Sequence, residues 1–571
     1  MASLDWIVLV VTLLSIVLYG TWKTRKQKNV DSYLRGDQSL PWFHVAFGIM
    51  ATQASAITFL SAPGQAYTDG MRYLQIYLGM PIAMIVISIF FIRIYRKYNV
   101  YTAYQLLENR FDKKTRLLTA FFFLFQRGLA AGLTIYAPSL VLSVVFGWDL
   151  FLTNLVMGGL VILYTVSGGT KAVAVTQFHQ MMVIIVGMAI AGIFIILLLP
   201  DNIDFTDALY IAGGSEKLNI ITSGFTDEGG FDWSDKFNIW SGLIGGFFLA
   251  LSYFGTDQSQ VGRYLGGKSE GESKTGLLFN AILKIPLQFS ILLIGVLLFA
   301  FFQFYPAPLH FNSKNVKTVM ESGYADDYKK LNEEYTVYEK TKQQYVYAAA
   351  NELRKGNKDS YYVATWRLNE INAKIKEVRK EAGEIIKKAD PDADANDTNY
   401  IFLHYVITYL PAGLIGLLIA VIFCASWSST AAELNALATT TVIDVLPMKN
   451  KGETQKVSWA KWTTVVWGAV AIFFAEFAAN AGNSLLEAVN IMGSLFYGTI
   501  LGVFLVAFFI KHVKGNAVFI AALITEAVVI CVHIFFSKEI SFLWYNAIGA
   551  ILVMILATGI QLFLKDKKVI A

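Results

Sequence analysis

Arg127 stands inside the apolar run FQRGLAAGLTIYAPSL, and a charge at that depth costs at least ~2.5 kcal/mol on insertion scales. An intramembrane arginine therefore lines a pathway or has a partner, and its planar fork can grip a carboxylate through paired hydrogen bonds. Glu433, about one turn beyond Ser429, is a second charge in an apolar run, and Lys284 in NAILKIPLQF is a third. Glu433 could neutralise either cation, and Arg127 could equally pair with it or snorkel to the interface. Ser428 and Ser429 in CASWSST read, on their own, as packing hydroxyls bonded to the preceding helical turn. His179 and His404 are single histidines without ligand spacing, and no nucleophile–base pair supports an enzyme. This residue set can bind and orient a solute or an ion.

The elements that must position these groups are membrane helices. Hydrophobic residues make up 55% of the 571 and charged residues 16%, against about 25% charged in soluble domains. The net charge of +5 fits basic cytoplasmic loops and carries no nucleic-acid signature. About thirteen spans fit the hydropathy, near 4–20, 42–64, 72–96, 117–146, 150–166, 178–200, 240–258, 276–304, 412–445, 459–480, 486–510, 516–536 and 541–564. The first run has Asp5 where a signal peptide has basic residues, so it reads as a retained helix. Cys424 and Cys531 both fall in apolar runs and read as buried thiols.

Basic residues fix the sidedness. Lys23, Arg25, Lys26 and Lys28, the loop around Arg110 to Arg116, Lys449 and Lys451, and the tail Lys565, Lys567 and Lys568 fall on one side. The segment 201–239, with Asp201, Asp204, Asp207, Asp227, Glu228, Asp232 and Asp235, falls on the other. This puts the N-terminus outside and the C-terminus in the cytoplasm, as for a multi-pass protein of the inner cell membrane. Residues 307–399 are polar and helical and fall outside the cytoplasm by span parity. Their acidic end, DPDADANDT, lacks the Gly and Glu of a calcium loop and reads as a solvated turn. IFLHYVITYLPAG after it reads as a short outer helix.

Two spans, FGIMATQASAITFLSAPGQAY and GLIGGFFLALSYFGTDQSQ, are interrupted by small and polar residues. Such breaks survive in lipid only where backbone is buried or lines a cavity. They open two stretches of roughly five spans with opposite directions, which points to a transporter site at mid-membrane. The organisation expected is 1–41, a first helix and basic loop; 42–200, a first repeat; 201–239, an acidic outer loop; 240–306 and 400–512, a second repeat interrupted by the insert; and 513–571, two peripheral helices and a tail.

GTDQSQVGRYLGGKS, KIPLQFSILLIGV and FCASWSSTAAELNALATTTVIDVLP resemble the sodium:solute symporter family over nearly the whole membrane portion. The resemblance implies an all-α integral membrane protein with an inverted five-helix repeat (LeuT-like fold). It also implies sodium held by carbonyls of the first core helix at Ala51 and Ala54, and by Ala425, Ser428 and Ser429 of the eighth. Sodium is a hard cation that prefers oxygen ligands, and residues three and four apart share a helix side. A second sodium site, present in some members, would need an acid and hydroxyls where this chain has Gln177, Ala431 and Ala432; it is expected to be absent, giving one Na+ per solute. Asp257 and Gln258 in GTDQ belong to the family motif, with a gating or structural role; Glu433 is placed with them.

For the solute, the resemblance puts Ser55 and Thr58 toward the central cavity. SAITF followed by an intramembrane arginine resembles the sialic acid transporters of the family, and APSL its iodide and vitamin carriers. Lys284 matches a sugar-binding lysine of the bacterial galactose members, but Thr58 and Tyr77 replace the Gln and Glu expected there. Galactose is therefore disfavoured, and Tyr73 and Gln75 join Tyr77 as cavity groups. The expected activity is sodium-coupled import, by alternating access, of an anionic sugar such as sialic acid or another small carboxylate. The rival in the same class is a neutral sugar or polyol symporter; a transporter-like sensor or channel is the rival in another. The expected partners are the solute, Na+ and the bilayer, with the protein a monomer that binds no nucleic acid.

Overall fold

A computed structural model describes residues 1–23, 30–226, 228–446, 448, 451–478 and 484–564. Arg25, Lys26, Lys28, Asp227, Lys449, Lys565, Lys567 and Lys568, which entered the sidedness argument, lie outside the described residues. Among the described residues nine helices are long and apolar enough to cross a bilayer, with two shorter apolar helices, Ser3–Tyr19 and Ser241–Thr256. No strand forms among them beyond two isolated bridges. In lipid a helix satisfies every backbone polar group within itself.

Leu150–Leu197 is 48 residues of near-continuous helix, which straight would measure about 72 Å, more than twice a bilayer core of about 30 Å. It folds back at Gly169, where φ 55° and ψ −172° belong to a region open essentially to glycine. Across this bend the Tyr164 hydroxyl meets Thr176 Oγ1; away from it the first arm packs on Ile472 at Gly158 and the second on Val421 at Gly187. One apolar stretch thus supplies two helices.

Leu414–Thr440 is buried on nearly all its sides, as expected of a helix apolar all round that runs through the centre. It packs on the Leu150–Leu197, Lys113–Phe146 and Trp42–Gln53 helices. The peripheral helix Gly515–Phe536 is different. Its Cys531 is exposed rather than buried, as is Leu523. An apolar run reads the same whether it faces lipid or core, and this one faces outward.

Both interrupted spans are broken. Trp42–Gln53 ends at Ala54 (φ −84°, ψ 73°), and Ala56–Asp69 begins after the extended Ser55. Gly246–Thr256 ends at Asp257 (φ −76°, ψ 121°), whose carboxylate accepts from Ser259 N at 2.8 Å to cap Gln258–Leu265. Helix ends leave carbonyls and N–H groups without intrahelical partners, and here both breaks are buried within the protein. Glu270–Phe304 packs along both halves of the first broken helix.

The insert is a helical hairpin, Ala325–Arg354 against Lys358–Ala389, with Ser313–Met320 beside it. It has a small core of its own from Val319, Leu331, Tyr335, Val378 and Ile386. A buried pair fastens it to the end of Glu270–Phe304: Lys342 Nζ donates to Glu339 Oε1 at 2.6 Å and to Phe302 O at 2.7 Å. The acidic turn is not simply solvated. Asp397 Oδ2 accepts from Arg379 Nη2 and Phe311 N, both at 2.7 Å, and burial pushes the Asp394 carboxyl up to about 6. Burial alone would raise Asp397 too, but Arg379, His310 and the Phe311 N–H outweigh it and hold its carboxyl below the usual range.

Asp397→Asn should therefore loosen this junction by about 1.5–3 kcal/mol, the usual worth of hydrogen bonds to a charged group. Hydrogen exchange in Lys358–Ala389, the helix that carries Arg379, would measure it. A depressed carboxyl contributes its stability above its unfolded value, about pH 3.9, and loses it as pH falls through the lower folded value. The two proteins should differ fully at neutral pH and converge in acid.

Candidate functional site

The break at Ala54–Ser55 faces the middle of Leu414–Thr440. Ser428 Oγ lies 3.2 Å from Ala51 O and 2.9 Å from Ala425 O. Ser429 Oγ lies 3.0 Å from Ala425 O and 3.1 Å from Ser426 O. Ala51, Ala54, Ala425, Ser428 and Ser429 are all fully buried. Helical spacing explains the arrangement: three- and four-residue steps bring both hydroxyls to one carbonyl, and the broken helix brings Ala51 O to the same place. Ala54 stands at the break itself. The cluster is neutral, rich in oxygen and shielded from bulk water, which suits a hard monovalent cation.

Gln177 lies against this cluster. Its Nε2 donates to Ser428 O at 2.9 Å and Thr52 Oγ1 at 3.2 Å. Ala431 and Ala432 are buried one turn further on, Ala431 in a small cluster with Tyr164 and Val173. These three positions thus present an amide and two methyls, with no carboxylate or hydroxyl among them.

Beyond the break opens a cavity lined by polar and aromatic side chains. Ser55, Thr58, Tyr73, Tyr77 and Arg127 line it, as the sequence suggested, and so does Glu433. Gln75 does not. It is buried in the outer loop, where Nε2 donates to Phe237 O at 2.7 Å and Oε1 accepts from Thr222 N at 3.2 Å. Lys284 does not line the cavity either; it is fully buried and sits 5.5 Å from the centre of the ring of Tyr77, a lining residue. Gln258 ties Ala103 N and Tyr101 O, both at 3.0 Å, a structural brace for the neighbouring loop.

Sequence reasoning missed several lining groups: Gln53, Gln126, Tyr253, Asn490 and Tyr497. Asn490 Nδ2 donates to Tyr73 OH at 2.9 Å. Asn490 and Tyr497 are seven residues apart on one face of Leu485–Phe509, a spacing that could have paired them.

Arg127 is the charged centre. Nη1 donates to Glu433 Oε1 at 3.1 Å; Nη2 reaches Asp257 and the Tyr497 hydroxyl. The Tyr253 ring lies 5.4 Å from the guanidinium carbon, a cation–π distance. Tyr497 OH also donates to Asp257 Oδ2 at 2.9 Å. The arginine thus joins the second helix break, through Asp257, to the central helix, through Glu433.

With broken helices, an oxygen cluster and a buried cavity in one place, the comparisons fall into line. The model of the sodium:solute symporter family matches residues 33–321 and 387–558, and the chain belongs to that family. It is 25% identical over 564 residues to the sodium/sialic acid symporter NanT of Aliivibrio fischeri, covering 97% of this chain and 92% of that one. It is 23% identical over 570 residues to the sodium/sialic acid symporter SiaT of Proteus mirabilis, covering 97% and 94%. The solved substrate-bound, outward-open state of a Na+-coupled sialic acid symporter matches with a TM-score of 0.74 at 22% identity, over 99% of this chain and 98% of that one. The fold is accordingly the all-helical, multi-pass LeuT-like one. The chain is a sodium-coupled symporter, with Na+ as the coupling ion.

Proposed function

We propose that this symporter imports a small organic anion, sialic acid or another small carboxylate, with one Na+ per solute. The reading is carried by one observation: a cavity directly beyond the Ala54–Ser55 break is lined by an arginine together with Ser55 and Thr58. The names of the long-range relatives, both sodium/sialic acid symporters, support it. Na+ bound by Ala51, Ala54, Ala425, Ser428 and Ser429 would turn the serine hydroxyl protons away from the carbonyls and pin the first broken helix to the central one. That shapes Ser55 and Thr58 for the solute. Loss of Na+ to the cytoplasm frees the broken helix and the solute follows. The coupling is reciprocal, so the solute tightens Na+ as much as Na+ tightens the solute.

In this reading 42–200 and 240–306 with 400–512 are the inverted repeats, and 307–399 covers the outer face. The protein is a monomer in the inner cell membrane that binds no nucleic acid, with its N-terminus outside and C-terminus in the cytoplasm. The amide of Gln177 and the methyls of Ala431 and Ala432 support a single sodium; a measured ratio of two Na+ per solute would overturn that. A neutral sugar or polyol is the second reading, favoured because two carboxylates already hold Arg127. Counterflow in proteoliposomes separates them. Labelled N-acetylneuraminate should exchange only with Na+ present, and be competed by carboxylates more than by neutral sugars. Exchange driven by neutral sugars alone would replace the first reading with the second.

A further inference from the structure

The two carboxylates on Arg127 are not equivalent. Asp257 is locked: Oδ1 accepts from Ser259 N at 2.8 Å and Ser259 Oγ at 2.6 Å, Oδ2 takes the Tyr497 hydroxyl, and the residue does not line the cavity. Glu433 is the one acid among the cavity's lining residues. Its bond from Arg127 Nη1, at 3.1 Å, is longer than a good charge-assisted hydrogen bond. Its second oxygen lies 3.1 Å from Thr134 Oγ1, a hydroxyl that it shares with Ala131 O at 2.9 Å and that receives the Thr430 hydroxyl at 2.9 Å. Around this single cation there are already two acids, so an arriving anion would add a third negative charge at close range, a juxtaposition that strongly opposes binding.

We infer that Glu433 is an internal competitor for the solute: it holds Arg127 Nη1 between transport events, yields it to an entering carboxylate, and falls back on Thr134. Glu433 is thereby a specificity-determining residue, setting how tightly the carrier holds anions relative to neutral solutes. This rests on the proposed carboxylate solute. It gives the chain an affinity set by exchange of one carboxylate for another, with no net change in the number of bonds to Arg127.

The test compares wild type with Glu433→Gln as full chains in nanodiscs at saturating Na+. The probes are N-acetylneuraminate and a neutral N-acetylhexosamine. Glutamine keeps the shape and can still meet Thr134, but it removes the competing charge. The variant should bind the anion about tenfold tighter or more, a gain that exceeds any change in its affinity for the neutral sugar. A merely structural Glu433 would move affinity the other way, so equal or weaker anion binding by the folded variant overturns the inference. Should the variant not fold, infrared difference spectra of wild type with carboxyl-13C solute decide. A protein carboxylate band must shift on binding, and its constancy overturns the inference. If N-acetylneuraminate and other small carboxylates bind neither protein while the neutral sugar does, the carboxylate reading itself fails and takes this inference with it.

Discussion

Uptake by the Ser428→Ala, Ser429→Ala double variant should need far more Na+, with apparent sodium affinity down about 100-fold or more. Groups that merely orient a metal's ligands already cost 10–100-fold when removed, and these two hydroxyls would contact the ion directly. Both are fully buried, so no bulk water stands ready to replace them. The backbone should hardly notice the change, because alanine is the best helix former and the hydroxyls bond only to carbonyls of the adjoining turn and of Ala51. The variant should therefore fold, reach the membrane and melt near the wild-type temperature. Sodium titration of solute uptake in proteoliposomes is the measurement. Unchanged sodium dependence would remove the assigned ion site.

The second large effect lies at Arg127. Arg127→Ala strands two acids, Asp257 and Glu433, both almost wholly buried. Breaking a buried ion pair by removing one partner costs about 3–5 kcal/mol, because the survivor's charge is left uncompensated. Here two survivors face each other, so thermal melting in detergent should drop sharply and uptake should vanish. Adding Glu433→Gln and Asp257→Asn to Arg127→Ala should recover much of the stability but none of the anion binding. That separation distinguishes a structural from a binding loss: full recovery of uptake in the triple variant would show that Arg127 never touches the solute.

The sequence made some of this legible. Small and polar residues where Leu and Val should run announced both helix breaks, because unpaired backbone in lipid needs a reason. The oxygen cluster was legible only through the family resemblance, since Ser428 and Ser429 on their own read as packing hydroxyls. The ligand set around Arg127 was only half visible. Glu433 was named as a partner, but Asp257 and Tyr497 come from segments 130 and 370 residues away, and spacing along a chain carries no information about such meetings. Gln75 was misplaced for a local reason. Two residues from Tyr73 along a helical turn, it cannot share the face that Tyr73 and Tyr77 present. Lys284 was read as a cavity group by its match to a motif, yet it is buried beside the Tyr77 ring and is not among the cavity's lining residues. Cys531 shows a further limit: hydropathy reports that a segment avoids water, and both lipid and protein interior satisfy it.

Gly64, on the second half of the first broken helix, lies so close to the carbonyl of Thr398 that even a methyl group would not fit. Asn399, the next residue, accepts from Leu485 N at 3.4 Å, and Ser484 Oγ donates to Gln65 Oε1 at 2.7 Å. The turn that ends the insert is thus wedged between two membrane helices, one of which carries the cavity-lining Thr58. Levering the hairpin from its exposed surface would be felt in that helix, so an antibody fragment clamped on the hairpin should work as a brake on turnover without ever entering the cavity.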